Sequence, residues 1–167
     1  PWDIQARRAP GGSTSGGGVS LCEGSSLLAL GTDTAGSVRI PASWTGNVAL
    51  KTTLGRWPTR GIVPLSKSLD TVGVLARTID DLRLAFDQLD TLRKSRHSVE
   101  VSGVRLGRCD ELFFDDCSPG VVEAVDEALA ELTAAGATVR TLELPEVIDA
   151  YELFLTGGPV AAELHHF

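Results

Sequence analysis

At 167 residues, with 43% hydrophobic and 22% charged side chains, the chain is long enough to bury a core and too apolar to remain disordered in bulk. A formal net charge of −7 argues against a polyanion such as nucleic acid as a direct partner, and no stretch approaches the roughly 18 consecutive apolar residues of a membrane span. Three widely spaced cysteines, Cys22, Cys109 and Cys117, fit neither a disulfide framework nor zinc-knuckle spacing, so we expect reduced thiols, no metal and a cytoplasmic setting.

In chain order, Val19 to Ser26 predicts a helix whose amino end faces the glycine-rich stretch 11–18. Leu27, Leu28, Ala29 and Leu30 then read as a buried strand, and Ser37 opens a second helix that tolerates Pro41 only in its first turn. Short strands follow at Val48 to Lys51 and Val72 to Arg77, separated by turns at Pro58, Gly61 and Pro64. Thr78 and Asp81 form a capping-box pattern before a helix whose apolar face is Leu82, Leu84, Ala85, Phe86 and Leu89. The basic cluster Arg93-Lys94-Ser95-Arg96-His97 reads as a solvated helix end, and 95–102 as a polar connection.

Val104 to Cys109 is expected to be a strand, and Ser118-Pro119 starts a helix with Val121, Val122, Val125, Ala128, Leu129 and Leu132 at helical spacing, ended by Gly136. Its acidic residues Glu123, Asp126, Glu127 and Glu131 fall mostly off that stripe and read as a solvated face. Thr138 to Leu144 is the next strand. Strand, helix and strand in this order indicate a βαβ unit and an α/β fold with a mixed, largely parallel sheet flanked by helices. Residues 1–92 form a core segment, and 93–167 continue the same domain through this unit to a terminal helix.

Chemistry concentrates in two glycine-flanked serines, Ser13 in Gly11-Gly12-Ser13-Thr14-Ser15-Gly16 and Ser37 in Gly31-Thr32-Asp33-Thr34-Ala35-Gly36-Ser37. Small neighbours let the backbone turn sharply and let a substrate carbonyl approach both hydroxyl and main-chain amides. Amides of Thr34, Ala35, Gly36 and Ser37 are the expected donors to the oxygen that becomes negative when Ser37 attacks a carbonyl. A serine needs a base to become a good nucleophile. His97, in a basic polar stretch, and His165 and His166, at the chain end, lie in no motif suited to that role. The first glycine loop lacks the lysine of a P-loop and does not follow a strand, which argues against phosphate binding. Trp2, Trp44 and Trp57 read as packing residues more readily than as walls of the site.

The ordered series Gly11-Gly12-Ser13, Gly31 to Ser37, Val38-Arg39-Ile40-Pro41-Ala42, Leu50-Lys51, Leu54-Gly55-Arg56, Gly61 to Leu65, Ser68-Leu69-Asp70, Val72-Gly73 and Ala76-Arg77-Thr78 resembles the amidase signature family of Ser-Ser-Lys hydrolases. The resemblance implies that Ser37 is the acylated nucleophile and Ser13 a relay that passes a proton between Ser37 and a lysine. It also implies a cis non-proline peptide at Ser13, and support of the loops by Gly12, Asp33 and Arg39 without proton transfer.

The family lysine belongs well upstream of the first loop. The twelve residues before Ser13 contain Arg7 and Arg8 but no lysine, Lys51 matches another family position, and Lys67 lies in a Ser-Lys-Ser turn. The expected catalytic lysine is therefore outside this chain, which reads as a fragment of a larger amidase fold with little activity alone. Departures from the family pattern are Thr14 and Glu23. The resemblance implies a small-molecule amide substrate cleaved without a cofactor, with a homodimer compatible. Two alternatives are the A subunit of a transfer-RNA-linked amidotransferase, working with partner subunits, and a non-catalytic remnant.

Overall fold

The computed structural model describes residues 8–91 and 99–164. Trp2, Arg7, the basic cluster 93–97, His165 and His166 lie outside the described residues. The described residues form two compact units, 8–91 with 159–164 and 99–158.

The first unit contains α1 (Ser15–Glu23), β1 (Leu28–Asp33), α2 (Arg39–Thr45), β2 (Val48–Lys51), β3 (Thr71–Ala76) and α3 (Ile79–Leu89). Its three strands lie in the order β1-β3-β2, and β3 is antiparallel to both neighbours. β1 and β2 thus run in the same direction, as expected for strands joined through a helical crossover, here α2. β3 fills the space between them from later in the chain. The mixed strand directions were expected, but within this sheet the expected parallel majority is replaced by two antiparallel pairings.

Side chains alternate across β3 and divide the core into two layers. Val74 and Ala76 pack with Trp57, Leu82 and Ala85 on one face, with Val48, Leu50, Val72 and Phe86 around them. Leu75 points to the other face, against Leu21, Val38 and Ala42 from the two helical segments, with Ala29 and Ala49 adjoining. Trp57 is therefore a core residue, whereas Trp44 is exposed.

Helix α1 begins four residues earlier than the sequence pattern predicts and takes in Gly16, Gly17 and Gly18. Tertiary packing overrides poor helix propensity here: a Cβ at Gly18 would stand 2.9 Å from Thr45 Oγ1 and 3.3 Å from the Pro41 carbonyl oxygen. Similarly, β1 runs through Gly31-Thr32-Asp33, beyond its apolar run, because pairing with β3 continues to Asp33↔Thr71. Helix α2 starts at Arg39, two residues after Ser37, and Pro41 sits in its first turn.

In α3, Thr78 Oγ1 accepts the Asp81 amide at 3.1 Å and donates to the Asp81 carboxylate at 2.7 Å. Leu82 and Ala85 are buried. Leu84, assigned to the apolar face from spacing, is 62% exposed.

The second unit has a 3-10 turn (Val101–Gly103), β4 (Arg105–Arg108), α4 (Pro119–Ala134), β5 (Thr138–Thr141) and α5 (Pro145–Leu155). β4 and β5 pair in parallel around α4, giving the expected strand-helix-strand unit. On α4, Val122, Val125 and Leu129 are half-buried, and the four acidic residues are exposed. A further helix, α6 (Gly158–Leu164), follows along the chain where one terminal helix was expected, and its residues 159–164 belong to the first unit. Gly157, at φ 78°, separates it from α5.

Candidate active site

Two loops carry the candidate residues: 10–14 before α1, and 34–38 between β1 and α2. In the first, Gly11 takes φ 76° and the Gly12–Ser13 peptide is cis. Ser15 Oγ donates to the Gly11 carbonyl at 2.6 Å, folding the loop against the start of α1. The Thr14 amide then donates to the Ser37 carbonyl at 3.1 Å, so one main-chain hydrogen bond joins the residue after the first serine to the second serine. Ser13 is exposed and Ser37 half-buried. Neither hydroxyl makes a hydrogen bond among the described residues.

These loops can meet because β1 and β3 present glycine at the same level. Gly31 pairs with Gly73 in the antiparallel register. A Cβ on Gly31 would stand 2.5 Å from Thr14 Oγ1 and 3.1 Å from Val38 Cγ2; one on Gly73 would stand 3.1 Å from Val38 Cγ1 and 2.8 Å from the Leu50 carbonyl oxygen. The paired glycines leave room for Val38, which is fully buried, and for Thr14.

The second loop is held from inside by Asp33. This fully buried carboxylate accepts the amides of Gly36 at 2.7 Å, Val38 at 3.2 Å and Arg39 at 3.4 Å, and is gripped by Arg39 Nε and Nη2, each at 3.0 Å. Burial pushes the Asp33 carboxyl up, but its hydrogen bonds from Arg39, Gly36 and Val38 and the guanidinium charge outweigh that effect and hold it below the usual carboxylate range. The same contact raises Arg39. Gly36 takes φ 110°, a backbone conformation that glycine adopts readily. The Ile40 amide closes the turn on the Gly36 carbonyl at 2.7 Å.

A second buried carboxyl group holds the other end of the loop, and sequence reasoning gave it no role. Thr34 Oγ1 donates to Asp70 Oδ1 at 2.5 Å, while the amides of Leu65 and Ser66 donate to Asp70 Oδ2 at 2.8 and 3.0 Å. Thr71 Oγ1 donates to the Asp33 carbonyl at 2.9 Å. Only the match of Ser68-Leu69-Asp70 to the family series signalled this region. On α6, Glu163 accepts the Ser66 hydroxyl at 3.0 Å, the Ser68 amide at 3.2 Å and the Ser68 hydroxyl.

Lys51 Nζ donates to the Thr52 carbonyl at 2.8 Å. No group of three or more His, Cys, Asp or Glu side chains is arranged to hold a metal among the described residues. All three cysteines are free thiols. No helix among the described residues is long and apolar enough to cross a membrane.

A family model for amidases matches residues 1–166. The chain belongs to the amidase family. It is 53% identical over 167 residues to a 2-amino-5-chloromuconic acid deaminase of Comamonas testosteroni, covering 98% of this chain and 36% of that protein. It is 41% identical over 159 residues to the A subunit of a glutamyl-tRNA(Gln) amidotransferase of Symbiobacterium thermophilum, covering 87% and 32%. Among solved structures, an amidase aligns with TM-score 0.72 and 34% identity over 81% of this chain and 31% of its own. Fatty acid amide hydrolase aligns with TM-score 0.73 and 27% identity over 86% and 28%. This amidase-family chain thus spans about a third of the length of these relatives.

Proposed function

We propose that this chain carries the nucleophile and the relay of an amide C–N hydrolase. Ser37 Oγ attacks the substrate carbonyl carbon, its proton passes to Ser13, and the Ser13 proton passes to a neutral lysine supplied outside this chain. Collapse of the tetrahedral intermediate breaks the C–N bond, the nitrogen leaves with a proton from the same relay, and water later hydrolyses the Ser37 ester. The observation that carries this reading is the Thr14–Ser37 main-chain bond, which sets the two serine-bearing loops side by side.

The oxyanion is met by main-chain amides of the second loop. Of the four expected there, that of Gly36 is engaged by Asp33, so we assign the developing charge to the amides of Thr34, Ala35 and Ser37. Gly12, Asp33 and Arg39 support these loops and transfer no proton. The substrate is a small molecule, and the similarity to a protein named a deaminase favours release of ammonia over a larger amine. We place the protein in the cytoplasm, where a homodimer is compatible with this reading.

The test is a fluorophosphonate probe on the full-length protein. Label should appear on Ser37 and vanish in Ser37→Ala, while Ser13→Ala should slow amide turnover severely without loss of fold. Labelling unchanged by Ser37→Ala would remove the nucleophile. The similarity to the A subunit of an amidotransferase supports a second reading, in which the released ammonia is passed within a larger assembly. Ammonia release that requires added partner subunits would select it.

A further inference from the structure

The last pair of the β1–β3 ladder, Asp33↔Thr71, leaves the next residue of each strand, Thr34 and Asp70, facing one another. Asp70 is 7% exposed and is itself immobilised: its carboxyl holds two amides of the 65–66 turn, and its own amide donates to the Ser66 carbonyl at 2.8 Å. Ser66, the pivot of that turn, is fully buried. The Thr34 hydroxyl therefore ends on an acceptor that cannot follow it if it moves.

Across the loop, Asp33 takes the amides of Gly36, Val38 and Arg39 but does not hold Thr34 or Ala35. Asp33 thus anchors the side of the loop that enters α2. The side that leaves β1 is anchored through the Thr34 hydroxyl. Donors to a developing oxyanion stabilise it only when their direction is set before the reaction.

We infer that Asp70 is a positioning residue for the oxyanion hole, acting through the Thr34 hydroxyl to aim the amides of Thr34 and Ala35. This rests on the proposed role of Ser37. Asp70 touches no reacting atom, so its removal should lower kcat rather than binding. The loss should be roughly 10- to 100-fold, the scale of a donor displaced by a fraction of an ångström to an ångström.

The test uses the full-length protein with Thr34→Val, which keeps shape and loses the hydroxyl, and Thr34→Ser, which keeps the hydroxyl. Thr34→Val should lose about 10- to 100-fold in kcat with KM within about threefold, and Thr34→Ser should recover most of the rate. Asp70→Ala, which removes the acceptor of the Thr34 hydroxyl, should lose a similar factor. Should Asp70→Ala fail to fold, the Thr34 pair decides. Wild-type kcat in Thr34→Val, a loss confined to KM, or a loss that Thr34→Ser does not restore would each overturn the inference. Ser37→Ala run in parallel separates the two failures: retained probe labelling there counts against the nucleophile and not against Asp70 alone.

Discussion

Arg39 grips Asp33 with two guanidinium nitrogens, each 3.0 Å from a different carboxylate oxygen, although the arginine side chain is 53% exposed and the aspartate fully buried. The burial is asymmetric, and so is the expected effect of mutation. Asp33→Ala removes the acceptor of three loop amides and should cost about 2–4 kcal/mol in urea unfolding. Arg39→Lys keeps a charge but loses the fork, so it should disturb activity more than stability. Equal stability losses for the two would contradict this picture.

Acid should weaken the same clamp. Asp33 is held below its ordinary value, so its contribution is fully present above the unfolded carboxylate value of about 3.9 and is lost as pH falls through the lower folded value. Unfolding monitored between pH 6 and pH 2 should show a stability loss in the acid limb that Asp33→Asn, whose side chain does not titrate, flattens. An unchanged acid limb in Asp33→Asn would assign the loss to other carboxylates.

The paired glycines under the site make a steric prediction. Gly73→Ala brings a Cβ against the backbone oxygen of Leu50, and should cost about 1–3 kcal/mol. Gly31→Ala instead presses on the Thr14 side chain, so it should also reduce acylation by displacing the Thr14–Ser37 bond. A Gly31→Ala protein with normal probe labelling would show that the loops tolerate separation.

Core position should decide the cost of truncating leucines. Leu75→Ala, at a fully buried position of β3, should lose about 2–5 kcal/mol. Leu84→Ala, on the exposed side of α3, should stay within about 0.5 kcal/mol of the parent. Chemical denaturation of both variants measures the contrast.

Neither Lys51 nor Lys67 should act as the base. Lys51→Ala in the full-length protein should retain probe labelling, because Lys51 Nζ is engaged by the neighbouring Thr52 carbonyl, and Lys67→Ala should behave likewise. Loss of labelling in either variant would relocate the proton acceptor.

Local chemistry was legible in the sequence. Glycine, serine and threonine clustered around Ser13 and Ser37 announce sharp loops whatever surrounds them, and β2, β3, α3 and the unit β4-α4-β5 follow hydrophobic period and capping residues. The start of α1 was hidden because its glycines are poor helix formers, and the close approach of Thr45 and Pro41 at Gly18 is a tertiary contact. Leu84 fits a helical stripe, yet which edge of that stripe meets the sheet depends on where Trp57 and Val74 already stand.

What the sequence determined by itself is the set of candidate reactive groups and the family series that orders them, because both are properties of neighbours along the chain. What only the tertiary structure decided is their mutual support. Thr34 and Asp70 are 36 residues apart and meet because β3 enters between β1 and β2 in an antiparallel register that ends at Asp33 and Thr71. Register is set by the whole sheet's burial of one face against another, and so no local pattern announces that contact.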